Sequence, residues 1–255
     1  MSGATGRGVI HGVGVGPGDP GLLTVRAVEV LRSAGAVLAP APHRGGDSLA
    51  LSIVRPYLPA GCEVHTAHFP MTERRGELRA AWDEAAALLL RLAAAGAPVA
   101  FITLGDAMLY STWSYLHAAV RRLAPDADVR TVPGVTAMSA CAAAVGRPLA
   151  EGREPLLVWP DEPPADAGEL LGLAPNVVFM KAGRHLPALA TAAQRSGADA
   201  VAVRRASRPD EAWTTELREW SADREYFTTV LMHRAGEDTP TDGSAPASDP
   251  EEEHA

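Results

Sequence analysis

From Val13 to Thr24 the chain reads VGVGPGDPGLLT, and Gly14, Gly16, Gly18 and Gly21 crowd one short loop. Val9, Ile10, Val13 and Val15 give the pattern of a buried first strand. LLTVRAVEVLR (22–32) puts Leu23, Ala27, Val30 and Leu31 on one helical face. Strand, glycine loop and helix suit ligand binding. Glycine lets a ligand approach the backbone, and a helix N-terminus offers free N–H groups. Gly16, Gly18 and Gly21 fit GxGxxG, but two features disfavour a dinucleotide. Pro17 and Pro20 remove two N–H donors. An acidic ribose anchor is also wanted about 20 positions on, and VLAPAPHRGG (37–46) has none. On this stretch alone, a tight turn without a ligand stands beside the ligand reading.

Asp106 is the second candidate. PVAFIT (98–103) is a continuous apolar run of buried-strand length, so Leu104, Gly105 and Asp106 fall at a strand's C-terminal end. A carboxylate there is costly unless paired or bonded, which favours a site role. Pro133, Gly134, Val135 and Thr136 make a second glycine turn, with Thr136 placed to cap a helix through Val145.

The elements that position these residues follow in order. AVLA (36–39) reads as a second strand. Asp47 is a candidate cap for a helix through Tyr57, and EVHTAH (63–68) reads as a third strand. Thr72 is a candidate cap for a long helix that Gly96 stops. A helix beginning near Ser111 or Thr112 follows the fourth strand. The βαβαβαβα order predicts a parallel sheet with right-handed crossovers. Beyond a break at Pro125–Asp128, strands are expected at 129–132, 155–159, 176–181, 199–203, 213–217 and 226–232, the last two as closing strands. A short helix is expected from His185 to Arg195. The chain thus divides into residues 1–7 (a disordered N-terminus), 8–124 and 125–235 (two α/β units facing across a cleft), and 236–255 (an acidic, disordered tail).

At 255 residues, 47% hydrophobic and 21% charged, the composition is that of a soluble globular protein. The net charge is −8, but residues 236–255 hold seven acidic residues and no Lys or Arg, leaving −1 on the rest. No basic stripe points to nucleic acid. Cys62 and Cys141 are far apart, with no CxxC and no His cluster at metal-ligand spacing, so neither a metal nor a disulfide framework is expected. No long apolar run predicts a membrane span or signal peptide, which points to the cytoplasm. One lysine, Lys181, stands against 22 arginines, a compositional habit rather than chemistry.

Four separated segments together resemble one family, the S-adenosylmethionine-dependent tetrapyrrole (precorrin and uroporphyrinogen) methyltransferases. They are 13–24, AFITLGDAMLYSTWSYL (100–116), VPGVTAMSACAAA (132–144) and VVFMK (177–181). Within the family, FPMT (69–72) and GDAMLYSTWSYL (105–116) are most similar to the branch that methylates C20 of precorrin-2. A member acting on another ring position, or on uroporphyrinogen III, is the nearest alternative. The resemblance implies two α/β domains of the class III methyltransferase type with S-adenosylmethionine in the cleft between them, and a homodimer. It places Pro17, Leu104, Gly105, Asp106, Leu109, Thr136, Ala137, Met180, Arg205 and Ala206 around the cofactor. Away from the resemblance, Thr136 reads equally as a plain cap, and Leu109 and Met180 as core. One departure is Ala107, where the family usually has proline.

A polycarboxylate tetrapyrrole needs cationic partners. Arg74, Arg75 and Arg79 near a helix start, and His43 and Arg44, are candidates, with solvated surface charge as the alternative for each. Tyr110 and Ser111 are further substrate candidates. Tyr110, His117 or a water could take the proton that leaves the methylated carbon.

Overall fold

The structure, a computed structural model, describes residues 6–41, 46, 48–70, 72, 74–160, 162–222 and 224–235. Asp47, His43, Arg44, residues 1–5 and the acidic stretch 236–255 lie outside the described residues, so the expectations placed on them stand untested.

The first half runs β1 (Ile10–Gly14), α1 (Val25–Ser33), β2 (Ala36–Ala41), α2 (Leu49–Val54), β3 (Glu63–His68), α3 (Arg75–Ala93), β4 (Val99–Thr103), α4 (Thr112–Leu123) and β5 (Val129–Val132). Its sheet has the order β3-β2-β4-β1-β5 with every pair parallel. Alternation along the strands supplies two apolar faces. Ile10, Leu38 and Phe101 face α3 and α4, while Val13, Val37, Ala100 and Ile102 face α1 and α2. Trp113 and Phe101, both fully buried, stack at 5.9 Å in the first layer. Gly12 makes room for them: a Cβ there would stand 1.9 Å from the Trp113 ring.

The second half runs α5 (Ala137–Val145), β6 (Leu156–Trp159), α6 (Leu170–Leu173), β7 (Asn176–Phe179), α7 (Leu186–Ser196), β8 (Asp199–Arg204), β9 (Ala212–Thr214) and β10 (Thr228–His233). Its sheet is mixed, ordered β6-β7-β10-β8-β9, with only β6 and β7 parallel. Helices α6 and α7 cover one face. Helix α5 covers the other, where Ala140 and Cys141 pack on Val178, Val201, Val203 and Leu231.

Several boundaries differ from the sequence expectation. The strand at 129–132, assigned to the second unit, pairs with β1 and closes the first sheet; the change of sheet therefore comes after Val132. Strand pairing is a non-local choice that this four-residue run does not encode. Helix α1 begins at Val25 rather than Leu22 because Thr24 caps it and Pro20–Leu22 form a separate 3₁₀ turn. Thr72 does not cap α3; its hydroxyl accepts from the Arg74 amide, and the helix starts at Arg75. Leu217 lies in a 3₁₀ turn rather than a strand.

Candidate functional site

In the first sheet the chain leaves β1 to one side, past β4, and leaves β4 to the other, past β1. Open α/β sheets take ligands at such a reversal, outside the C-terminal strand ends. Three loops converge there, after β1, β4 and β5. Gly16 and Gly105 exchange backbone hydrogen bonds, Gly105 N–H to Gly16 O at 2.8 Å and the reverse at 3.2 Å. A Cβ on Gly14 would lie 2.7 Å from Gly105 O, and one on Gly134 would lie 2.3 Å from the same atom. The glycines at 14 and 134 are thus required by close backbone approach.

Asp106 locks this arrangement. Its Oδ1 accepts from Met108 N–H at 2.8 Å and its Oδ2 from Gly134 N–H at 2.9 Å. The half-buried carboxylate ties the loop after β4 to the turn after β5. A direct role toward a ligand is therefore secondary to this bonding. Ala107 is fully buried beneath it.

Thr136 caps α5 by accepting from Ser139 N–H at 3.2 Å, so its cap reading holds in the structure. The first N–H groups of that helix have no acceptor within it. A Cβ on Gly105, whose φ is 66°, would meet nothing closer than Ala137 N at 3.9 Å and Val135 O at 4.0 Å. A methyl group at Gly105 would thus sit in ordinary contact with that backbone, so the loops after β4 and β5 present main-chain groups to each other at this point.

From the second half, Met180 follows β7 and donates its N–H to Trp159 O at 2.8 Å, with its side chain against the α5 layer. Ala206 is buried in the same layer. The Arg205 guanidinium pairs with Asp210 at 3.3 Å and Glu225 at 3.7 Å. Across the cleft, Asp19 N–H donates to Ser207 Oγ at 3.1 Å, and the Tyr110 hydroxyl donates to Val158 O at 3.2 Å. Pro17, Leu104, Gly105, Asp106, Thr136 and Ala137 thus belong to one convergence of loops. Met180, Arg205 and Ala206 border it from the other sheet. Leu104 packs inward against the α1–α2 layer, and Leu109 is half-buried.

The substrate candidates divide. Tyr110 is exposed on the rim. Ser111 is 7% exposed; its hydroxyl donates to Thr103 Oγ1 and accepts from Trp113 N–H, so it serves as the cap of α4. Arg74 is bound to Glu77 at 3.0 Å on the first turn of α3. Arg75 and Arg79 are exposed on the same helix. No hydrogen bond or ion pair among the described residues ties these three to the strand-end loops. His117 lies packed on the Trp113 ring, 5.8 Å between centroids. It is six residues down α4 from its cap, roughly 9 Å from the strand ends. Phe69, from the FPMT word, packs edge-on against Phe101 at 6.2 Å. Sequence reasoning missed Ser207 and the cross-cleft bonds of Asp19 and Tyr110, which no local pattern announces. Among the described residues no cluster of His, Cys, Asp or Glu suits a metal, and no helix is long and apolar enough to cross a membrane.

Two α/β sheets meeting at a glycine-lined cleft define a methyltransferase fold of class III. The chain belongs to the family of tetrapyrrole (corrin/porphyrin) methylases, whose model matches residues 9–220. It is similar to a cobalt-precorrin-2 C(20)-methyltransferase of Salmonella typhimurium, 41% identical over 91% of this chain and 98% of the relative. A precorrin-2 C(20)-methyltransferase of a Sinorhizobium species is 33% identical over 91% and 97%. Among solved structures, a cobalt precorrin-4 methyltransferase superposes with a TM-score of 0.72 at 20% identity, covering 91% and 98%. A uroporphyrin-III C-methyltransferase of Thermus thermophilus, complexed with S-adenosyl homocysteine, gives 0.63 at 24%, covering 89% and 97%.

Proposed function

We propose that this chain is an S-adenosylmethionine-dependent methyltransferase that methylates C20 of precorrin-2, or of its cobalt form, during corrin-ring assembly in cobalamin biosynthesis. The observation that carries the reading is the agreement of the two relatives. Both are named for the same carbon of the same ring, and both align almost end to end. The first N–H groups of α5, beside Gly105, support it, because they offer main-chain donors to a cofactor.

When bound, S-adenosylmethionine supplies an electrophilic methyl group on sulfur. The chain's part is orientation, which can lower a barrier by several kcal/mol, up to about 10. Backbone groups of Leu104, Gly105, Thr136 and Ala137 hold the cofactor, and Met180 and Leu109 give it apolar walls. Asp106 fixes the relative position of the two loops. The ring carbon is electron-rich, so no covalent nucleophile is assigned. The departing proton goes to solvent water; the exposed Tyr110 hydroxyl, which donates to Val158 O, would orient that water by accepting a hydrogen bond from it. The resemblance also supports a homodimer in the cytoplasm, which light scattering and fractionation would check.

The test is a methylation assay with S-adenosylmethionine and enzymatically made precorrin-2, with and without cobalt, read by mass and by the position of the label. One methyl at C20 is expected. Methylation at another carbon would move the reading to the alternative branch.

A further inference from the structure

Among the described residues, four other than glycine have a left-handed backbone: Tyr110, Lys181, Arg205 and Ser207. All four lie on loops that border the cleft. Such conformations are strained for residues with a Cβ and gather at working sites. Three of the four have their partners on the page: Tyr110 bonds Val158, Arg205 pairs with Asp210 and Glu225, and Ser207 bonds Asp19. Lys181 differs. It directly follows Met180 at the end of β7, with φ 57°. It is half-buried, and its Nζ lies 5.9 Å from the centroid of the Tyr226 ring. Among the described residues no carboxylate pairs with it. Neighbouring Arg208 is bound to Asp210 at 3.4 Å.

Composition sharpens the contrast. This chain writes its cations as arginine 22 times and as lysine once. The exception stands at a strained position, facing an aromatic ring, beside the cofactor's expected wall. Lysine offers a compact point charge with rotatable donors, where arginine offers a flat fork. Tyr226 and Phe227, edge to face at 5.3 Å and both exposed, extend an apolar ledge beside it. An ammonium above a ledge suits a molecule with a broad apolar face and a carboxylate at its rim.

We propose that Lys181 holds a carboxylate of the substrate from the second half of the chain, with Tyr226 and Phe227 as the ledge under the ring. This rests on the reading that the substrate is a polycarboxylate tetrapyrrole. It also replaces the expectation that arginines on α3 carry this task.

The experiment titrates full-length protein with uroporphyrin III, an octacarboxylate macrocycle, by fluorescence, and separately with S-adenosyl homocysteine by calorimetry. Lys181→Met should weaken porphyrin binding by about tenfold or more, the loss of one charge-assisted contact. Lys181→Arg should stay within about threefold of the wild type, since the charge is kept. Affinity for S-adenosyl homocysteine should be unchanged in both. Lys181→Gly removes the charge and relaxes the backbone, and gives the same readout should the Met variant fold poorly. In turnover with precorrin-2, Lys181→Met should raise KM and leave kcat nearly unchanged. Porphyrin binding equal to wild type in Lys181→Met, or an equal loss of S-adenosyl homocysteine affinity, would overturn the proposal. Failure of the wild type itself to bind the porphyrin would instead overturn the polycarboxylate reading on which the proposal rests.

Discussion

Asp106 spends its two oxygens on the amides of Met108 and Gly134, and this fixes what its removal should do. Asp106→Ala leaves the partly buried Gly134 amide without its acceptor, while the exposed Met108 amide can turn to water. An unsatisfied buried donor costs about 1–3 kcal/mol, so the melting temperature should fall by a few degrees, roughly 2–10 °C for a chain of this size. The junction of the loops after β4 and β5 should loosen at the same time, and S-adenosylmethionine affinity should drop about tenfold. Ala137→Phe makes a different test at the same place. Its side chain would crowd the start of α5, where the proposed cofactor lies, and would leave both hydrogen bonds of Asp106 in place. Affinity should fall at least about tenfold, with the melting temperature within about a degree or two. Calorimetric titration and thermal melts on both variants separate the loop lock from the cofactor wall. Normal affinity in both would remove the cofactor from this cleft.

The end of β10 carries its own titration. His233 Nδ1 donates to Asn176 Oδ1 at 2.8 Å, since Asn176 Nδ2 is spent on Glu154. Its Nε2 is buried with no partner among the described residues. Burial and the nearby Arg147 push its pKa below 6.5, against the opposing pull of Asp199 and Glu154. The unfolded chain therefore binds the proton more readily than the folded one. Stability from this group is present above about pH 6.5 and is lost as pH falls through the lower, folded value. The buried His11 is shifted the same way by burial and by Arg130 and Arg26. Melting temperature should fall between pH 7 and pH 5, and His233→Gln should flatten that slope; an unchanged slope would leave the dependence to other groups. Elements such as these were partly legible beforehand. The helix starts at Ser111 and Thr136 follow from local chemistry, and the apolar run of β4 announces a buried strand, whereas Thr24, read as lying inside a helix from Leu22, caps α1 instead. The partner of β5 was not legible, because RTV and its neighbours pair as well with one sheet as with another. Likewise the glycine spacing pointed to the cleft, but the bonds that close it join residues 28 to 188 positions apart.

Helix α5 joins the two halves. It emerges from the turn after β5, which Asp106 pins to the first sheet, yet its apolar face packs on the second. The cleft is thus set by one short turn at Pro133–Thr136, and a cofactor gripped there touches both halves. A structure this self-contained makes a prediction about the acidic C-terminal stretch. Residues 236–255 carry seven carboxylates, while the remainder of the chain has a net charge of only −1. A polycarboxylate substrate would be repelled by those seven groups if they lay within a Debye length of the cleft, about 8 Å at physiological salt. Their effect would then appear in KM and vanish as salt is raised, while the chemical step would not change. The hydrogen bonds that tie the cleft loops together lie among the described residues. A chain ending at Ala235 should therefore keep kcat for precorrin-2 methylation and the same affinity for S-adenosylmethionine. Its KM should be equal to, or at low salt slightly below, that of the full chain. Steady-state kinetics at two ionic strengths decide the matter. A KM that rises on truncation, or a lost kcat, would make the acidic stretch part of the working site.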